Sequence, residues 1–197
     1  MCGIVGFIDF KKKLTTESLD NLIFSLLHRG PDDNGKYFQI ADNYNLGIGH
    51  TRLSILDPTP NGKQPMQFNN ITISYNGEVY NFKLIKKELL DNGYSFSTNT
   101  DTEVILKSYD FWGMKFIDKL NGIFAISIFD KEKKKIYLIR DRLGVKPIYW
   151  YFDGLTMIYG SELKIFKQIS SINKKVSIAA LNSYFKYGYV PEPYSIL

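Results

Sequence analysis

The chain predicts an α+β fold in which antiparallel sheets are covered by helices. Strand-like segments come in runs, at 35–41, 46–56 and 71–75 and again at 122–130, 136–140, 148–152 and 156–160, instead of alternating one for one with helices. Helical periodicities lie between and after those runs, near 15–29, 81–92, 100–112 and 178–187. A length of 197 residues with 44% apolar content is enough for one domain with a sizeable core.

The elements follow in order. Residues 2–9 are a short apolar run with Gly3 and Gly6 inside it, the mark of a buried strand approached closely by other groups. Leu19, Leu22, Ile23, Leu26 and Leu27 recur at helical spacing behind a Thr15 or Thr16 cap, and Gly30-Pro31 ends that helix before the loop to Asp33. Strands are expected at 35–41, 46–56 and 71–75, with a Pro/Gly/Asn loop over 58–65 and a turn at Tyr75-Asn76-Gly77. Gly93 closes a helix over 81–92, and Thr100-Asp101-Thr102-Glu103 opens the next one in capping-box order. The turn 131–135 joins strands 122–130 and 136–140 as a hairpin; two more strands, at 148–152 and 156–160, precede helices at 161–166 and 178–187. Residues 1–186 read as one domain and 187–197, with two prolines in an extended context, as the start of a linker to a further domain.

Composition narrows the function. One cysteine makes no internal disulfide, the N-terminus has no secretory pattern, and no apolar run reaches the ~20 residues of a membrane span, so a cytoplasmic protein is expected. A net charge of +5 raises nucleic acid as a partner, but the basic residues are scattered and lysine-borne, which argues against it. Against 21 lysines stand four arginines, Arg29, Arg52, Arg140 and Arg142, each in a stretch dense with Gly, Pro, His or Asp. Four selective uses of a planar bidentate fork point to carboxylate recognition or rigid ion pairing.

The lone Cys2 lies behind the initiator methionine. Removal of Met1 would leave thiol and α-amine on one carbon, a nucleophile and a base whose ordinary pKa values are about 8.5 and about 7.7–8.0. The plainer alternative is a buried apolar cysteine. In Ser74-Tyr75-Asn76-Gly77-Glu78, the Asn76 amide and the Gly77 N–H could serve as two donors to a developing oxyanion, although Asn-Gly is also the commonest hairpin turn. Glu78 adds a carboxylate beside them, Asp101 another at a helix start, and Arg52 a fork on a strand. Together these groups describe a pocket for a free amino acid with a side-chain amide, glutamine being the obvious candidate. His28 and His50 are read as orienting their arginines, not as metal ligands.

Seven blocks carry a resemblance: MCGIVG at the start, His28-Arg29-Gly30-Pro31-Asp32, Gly49-His50-Thr51-Arg52-Leu53-Ser54-Ile55, Tyr75-Asn76-Gly77-Glu78-Val79-Tyr80-Asn81, Asp101-Thr102-Glu103, RDRLGVKPIY from Arg140, and Gly160-Ser161-Glu162-Leu163-Lys164. In order and across nearly the whole chain, they resemble the glutaminase domain of glutamine-hydrolysing asparagine synthetases, within the N-terminal-nucleophile glutamine amidotransferases. The resemblance implies a four-layer αββα sandwich that hydrolyses glutamine to glutamate and ammonia. In it Cys2 is the nucleophile with its α-amine as base, and Asn76 and Gly77 form the oxyanion hole. Arg52 holds the substrate carboxylate, Glu78 and Asp101 receive its ammonium, and backbone around Leu53 and Ile55 lines the pocket. Arg29 is placed nearer a lid or scaffold than the cleaved bond. No cofactor or metal is implied for this domain. The partner is a C-terminal synthetase domain of the same polypeptide, where ATP and Mg²⁺ serve to amidate aspartate. A sibling enzyme delivering ammonia to another acceptor, such as a sugar carboxylate, is the alternative, and a homodimer is compatible with either.

Overall fold

A computed structural model of the chain describes residues 1–54, 59–172, 174–192 and 194–196. Its strands form two antiparallel sheets. In chain order they are β1 (Gly3–Asp9), β2 (Asp33–Ile40), β3 (Asn45–Arg52), β4 (Met66–Phe68), β5 (Ile71–Val79), β6 (Gly122–Asp130), β7 (Lys135–Arg140), β8 (Tyr149–Phe152) and β9 (Thr156–Gly160). The first sheet has the order β2-β3-β1-β9-β8 and the second β4-β5-β6-β7. The helices are α1 (Thr16–Phe24), α2 (Phe82–Asp91), α3 (Asp101–Trp112) and α4 (Ile178–Tyr187).

Each sheet buries one face under helices. Val5, Phe7 and Ile158 of the first sheet pack with Leu19, Leu22 and Leu26 from the α1 segment and with Ile165 and Phe166. Ile73, Tyr75, Ile126 and Ile128 of the second pack with Ile85 and Leu89 of α2 and Val104, Ile105 and Tyr109 of α3. The other two faces meet each other, with Leu46, Ile48 and Phe129 in a small apolar cluster between the sheets. The expected αββα layering is therefore present. Covered on both sides, β3 is buried at all eight positions, and Gly49 is there because a Cβ would lie 2.5 Å from Cγ1 of Ile23 on α1.

The inter-sheet layer also contains paired polar groups, as burial demands. Ser74 Oγ donates to the Gly49 carbonyl at 3.2 Å, Ser127 Oγ and the Tyr159 hydroxyl lie 2.6 Å apart, and His50 Nε2–H donates to the Tyr75 carbonyl at 3.2 Å. Burial lowers the His50 pKa to about 4, so the ring is neutral at pH 7. His50 thus ties β3 to β5 and does not orient Arg52 directly.

Most expected elements appear within a few residues, with four differences. The first helix stops at Phe24; residues 25–29 continue as turns with Leu26 N–H to Ile23 O and Arg29 N–H to Leu26 O, and Ser25 Oγ donates to Leu22 O. Bonds spaced by three residues and a serine competing for the backbone tighten that end beyond α geometry. The expected helix at 161–166 is a 3-10 segment, Leu163–Gln168, for the same reason: its bonds run from Ile165 N–H to Glu162 O and from Ile169 N–H to Phe166 O. Tyr75-Asn76-Gly77 is no turn, because β5 continues in register with β6 through Val79 opposite Gly122. The strand expected at 46–56 ends at Arg52, and its residues 55 and 56, like the first residue of the 58–65 loop, fall outside the described residues. After α4, capped by Ser177 and ended by Gly188 at φ +79°, the described residues hold no helix or strand, though the Ile196 carbonyl accepts from Ser177 N–H.

Candidate active site

The start of β1, the end of β3, the middle of β5 and the first turn of α3 converge on one small cleft of ≈ 60 Å³. That is room for about four to six water-sized groups, the scale of an amino-acid side chain. Cys2, Arg52, Leu53, Gly77, Glu78 and Asp101 all line it, so the groups singled out in separate sequence blocks meet in space.

Cys2 precedes β1, the central strand of its sheet, and is partly exposed. Leu53 N–H donates to Sγ at 3.4 Å and the thiol reaches the Leu53 carbonyl at 3.6 Å, so the backbone just after β3 holds the sulfur in place. The Cys2 carbonyl accepts from Arg29 Nε at 3.0 Å. Arg29 is therefore a scaffold for the thiol-bearing residue itself, not part of a lid. Met1 is 57% exposed with its sulfur 3.4 Å from Lys146 Nζ. Its removal would leave Cys2 as the N-terminus, with the α-amine on the carbon that carries the thiol.

The donors come from β5, and strand geometry assigns their directions. Tyr75 N–H donates to Gln64 Oε1 at 2.7 Å and Val79 N–H to Asp101 Oδ2 at 3.1 Å, both away from β6. Backbone directions repeat every second residue, so the Gly77 N–H points from that same edge toward the cleft. β4 pairs only with residues 71–73 of β5, which among the described residues leaves this stretch clear of a neighbouring strand. Gly77 also cannot be larger: a Cβ there would lie 2.3 Å from the Ile123 carbonyl oxygen of β6. Side chains alternate likewise, and Asn76 shares the face of Ser74, which contacts the first sheet where Cys2 lies. Its amide nitrogen Nδ2 is buried without a hydrogen-bond partner among the described residues. A buried unpaired amide donor costs about 1–3 kcal/mol, so it marks a position prepared for an acceptor.

The charges are arranged for a zwitterion. Arg52 is 5% exposed, with Nη1 donating to the Thr59 carbonyl at 2.8 Å. Asp101 is buried in the first turn of α3; its Oδ2 accepts from the Tyr75 hydroxyl at 2.6 Å as well as from Val79 N–H. Burial raises its pKa, and those hydrogen bonds oppose the rise. Burial likewise raises the Glu78 carboxyl, the Asp101 charge adds to it, and Lys146 opposes both. Two crowded carboxylates favour a cation between them, and Arg52 in the same cleft favours an anion. Ile55 lies outside the described residues, so only Leu53 of that expected pair is placed.

Sequence reasoning missed two residues here. Gln64 spans the cleft wall from Tyr75 N–H to the Thr102 hydroxyl, to which its Nε2 donates at 3.2 Å. Tyr75 was visible only as a neighbour of Asn76, and its role depends on α3. Among the described residues no group of three His, Cys, Asp or Glu side chains is placed to hold a metal, and no helix is long and apolar enough to cross a membrane. A larger cavity, ≈ 350 Å³, lies at the other end of the sandwich among Phe10, Tyr44, Phe129, Lys131 and Lys134, and none of the residues above reaches it.

Known proteins resemble the chain in sequence and in fold. The chain is 42% identical to a putative glutamine-hydrolysing asparagine synthetase of Methanocaldococcus jannaschii over all of its own length and 41% of the relative's. It is 38% identical to asparagine synthetase 3 of Bacillus subtilis over 95% of this chain and 31% of that one, and 39% identical to asparagine synthetase B of Escherichia coli over 83% and 29%. It thus spans less than half the length of these curated relatives. Among solved structures, an allosteric regulatory enzyme of purine biosynthesis superposes with a TM-score of 0.70 at 20% identity, over 85% of this chain and 43% of that one. Glutamine phosphoribosylpyrophosphate amidotransferase of B. subtilis does so with a TM-score of 0.66 at 20% identity, over 84% and 43%. At that identity the likeness speaks for a shared sandwich architecture. The family model for the glutamine amidotransferase domain matches residues 1–197, and the chain belongs to that family.

Proposed function

We propose that this domain hydrolyses glutamine to glutamate and ammonia through a covalent γ-glutamyl enzyme. The observation that carries the reading is the convergence on one cleft of the Cys2 sulfur, an arginine fork and two carboxylates, with the buried Asn76 amide on the residue before the cleft-lining Gly77. Once Met1 is removed, the Cys2 α-amine accepts the thiol proton and the sulfur attacks the δ-carbonyl carbon. Asn76 Nδ2 and Gly77 N–H receive the oxyanion. Collapse breaks the C–N bond, the ammonium of Cys2 protonates the leaving nitrogen, and ammonia departs from a γ-glutamyl thioester. The amine then takes a proton from the attacking water, glutamate leaves, and the thiol is restored. Arg52 binds the substrate α-carboxylate; Glu78 and Asp101 bind the α-ammonium, with backbone around Leu53 and Ile55 completing the pocket.

The relatives' synthetase function extends the reading to the whole polypeptide. There the ammonia passes to a C-terminal domain that uses ATP and Mg²⁺ to amidate aspartate, in a cytoplasmic enzyme whose thiol stays reduced. Ammonia release and γ-glutamyl hydroxamate formation test the first step. Both are expected in wild type with an intact mass lacking one methionine, and both are expected to vanish in Cys2→Ala; unchanged activity in that variant overturns the reading. Amide-¹⁵N glutamine supplied to the full-length polypeptide with ATP, Mg²⁺ and aspartate is expected to yield labelled asparagine. Continued ammonia release without it would point to a different acceptor, such as a sugar carboxylate.

A further inference from the structure

We infer that Glu162 is a positioning residue for the nucleophile: it braces Arg29, which holds the Cys2 carbonyl and so sets where the thiol and amine stand. The inference rests on the glutaminase reading above. Arg29 Nη1 donates to Glu162 Oε1 at 3.0 Å while its Nε donates to the Cys2 carbonyl at 3.0 Å, so one guanidinium joins the carboxylate to the residue bearing the sulfur. The Arg29 side chain is 9% exposed and that of Glu162 27%, so solvent screens this ion pair only from the carboxylate side.

Glu162 is itself held from three sides. His28 Nε2 lies 2.9 Å from Oε1 and Lys164 Nζ 3.2 Å from Oε2. Burial alone would raise its carboxyl, but hydrogen bonds from Arg29, His28 and Lys164 bring it down to about 2, so it is ionised throughout the working range. The residue before it, Ser161, is locked to β1: its N–H donates to the Ile4 carbonyl at 2.9 Å, and its Oγ accepts from Ile4 N–H at 3.0 Å.

The brace therefore starts on β1 at Ile4, passes through Ser161, Glu162 and Arg29, and returns to the same chain at Cys2. This closure matters because a processed Cys2 has no preceding residue to restrain it, and β1 pairing begins only at Gly3. With the carbonyl pinned, the plane of the Cys2–Gly3 peptide is fixed, and the sulfur's arc is limited to rotation about two bonds of Cys2. Misplacement of a reacting atom by about 1 Å can cost on the order of 100-fold in rate, whereas Glu162 does not line the cleft and has no direct part in holding substrate.

Glu162→Gln keeps the shape and removes the charge. Its expected effect is a fall in kcat of about tenfold with KM changed less than about twofold. Because the chain has a single cysteine, Cys2 alkylation supplies a second readout. A glutamine-shaped chloroketone, which reacts only when sulfur and pocket are aligned, should label the variant several-fold more slowly than wild type, while undirected iodoacetamide labels both alike. Glu162→Asp, which restores the charge, should recover part of the chloroketone rate. Equal kcat and equal chloroketone labelling in Glu162→Gln overturn the inference; so does equal slowing with both reagents, or failure of both variants to fold, since either makes Glu162 a stability residue only. If wild type itself releases no ammonia from glutamine, the glutaminase reading fails, and the two labelling rates still decide whether Glu162 places the sulfur.

Discussion

Asn76→Ala separates catalysis from stability. An ordinary buried asparagine lost from a sheet interior forfeits its hydrogen bonds, but Nδ2 of Asn76 has none to lose. Removing an unpaired buried amide relieves about 1–3 kcal/mol, and losing the packing of its three terminal heavy atoms costs a similar amount, so net stability should change by less than about 1 kcal/mol. The transition state instead loses one of two oxyanion donors, about 2.7–4 kcal/mol or 100- to 1,000-fold in kcat. Gln64→Ala is the contrast, because both ends of that amide are engaged, by Tyr75 N–H at 2.7 Å and by the Thr102 hydroxyl at 3.2 Å. It strands a buried backbone N–H and should cost about 2–4 kcal/mol of stability. Initial rates of ammonia release at saturating glutamine and urea unfolding midpoints measure the two quantities. If Asn76→Ala unfolds as easily as Gln64→Ala while keeping kcat within about threefold of wild type, the donor assignment from strand alternation is wrong.

Three further outcomes follow from the same geometry. Gly77→Ala places a methyl 2.3 Å from the Ile123 carbonyl oxygen and 2.7 Å from Phe124 Cα, both backbone, so β5 must part from β6. A loss of about 1–3 kcal/mol in urea unfolding is expected, together with reduced kcat. Tyr75→Phe removes a hydrogen bond that holds down the buried Asp101 carboxyl; the carboxylate form is present above its pKa and lost as pH falls through it. The acidic limb of kcat/KM should therefore move to higher pH, with little change at the alkaline end. His50 takes a proton near pH 6.5 when unfolded and near 4 when folded, so the unfolded state binds more protons between those values. Stability should fall as pH drops from about 6.5 to 4, by about 3 kcal/mol in all, and His50→Asn should flatten that slope in urea titrations.

The α+β class, most strands and helices, and the candidates Cys2, Arg52, Gly77, Glu78 and Asp101 that meet in the cleft were legible in the chain itself. Local periodicity dictates helix and strand, and a nucleophile, a fork and paired acids are chemically conspicuous wherever they stand. The chain could not show that Asn76-Gly77 lies within a strand. An Asn-Gly pair satisfies a turn and a close strand approach equally well, and only the facing β6 backbone, 2.3 Å from the missing Cβ, decides between them. The contacts that hold Cys2 were equally hidden. Arg29 and Glu162 stand 133 residues apart, and Arg29 meets the Cys2 carbonyl across 27, separations at which no spacing rule operates. The residue types that can do the chemistry are written in the sequence. Which face of β5 they occupy, and what holds Cys2 still, depends on two sheets packing face to face, because only that packing buries Asn76 and brings β1, β3, β5 and α3 to a common cleft.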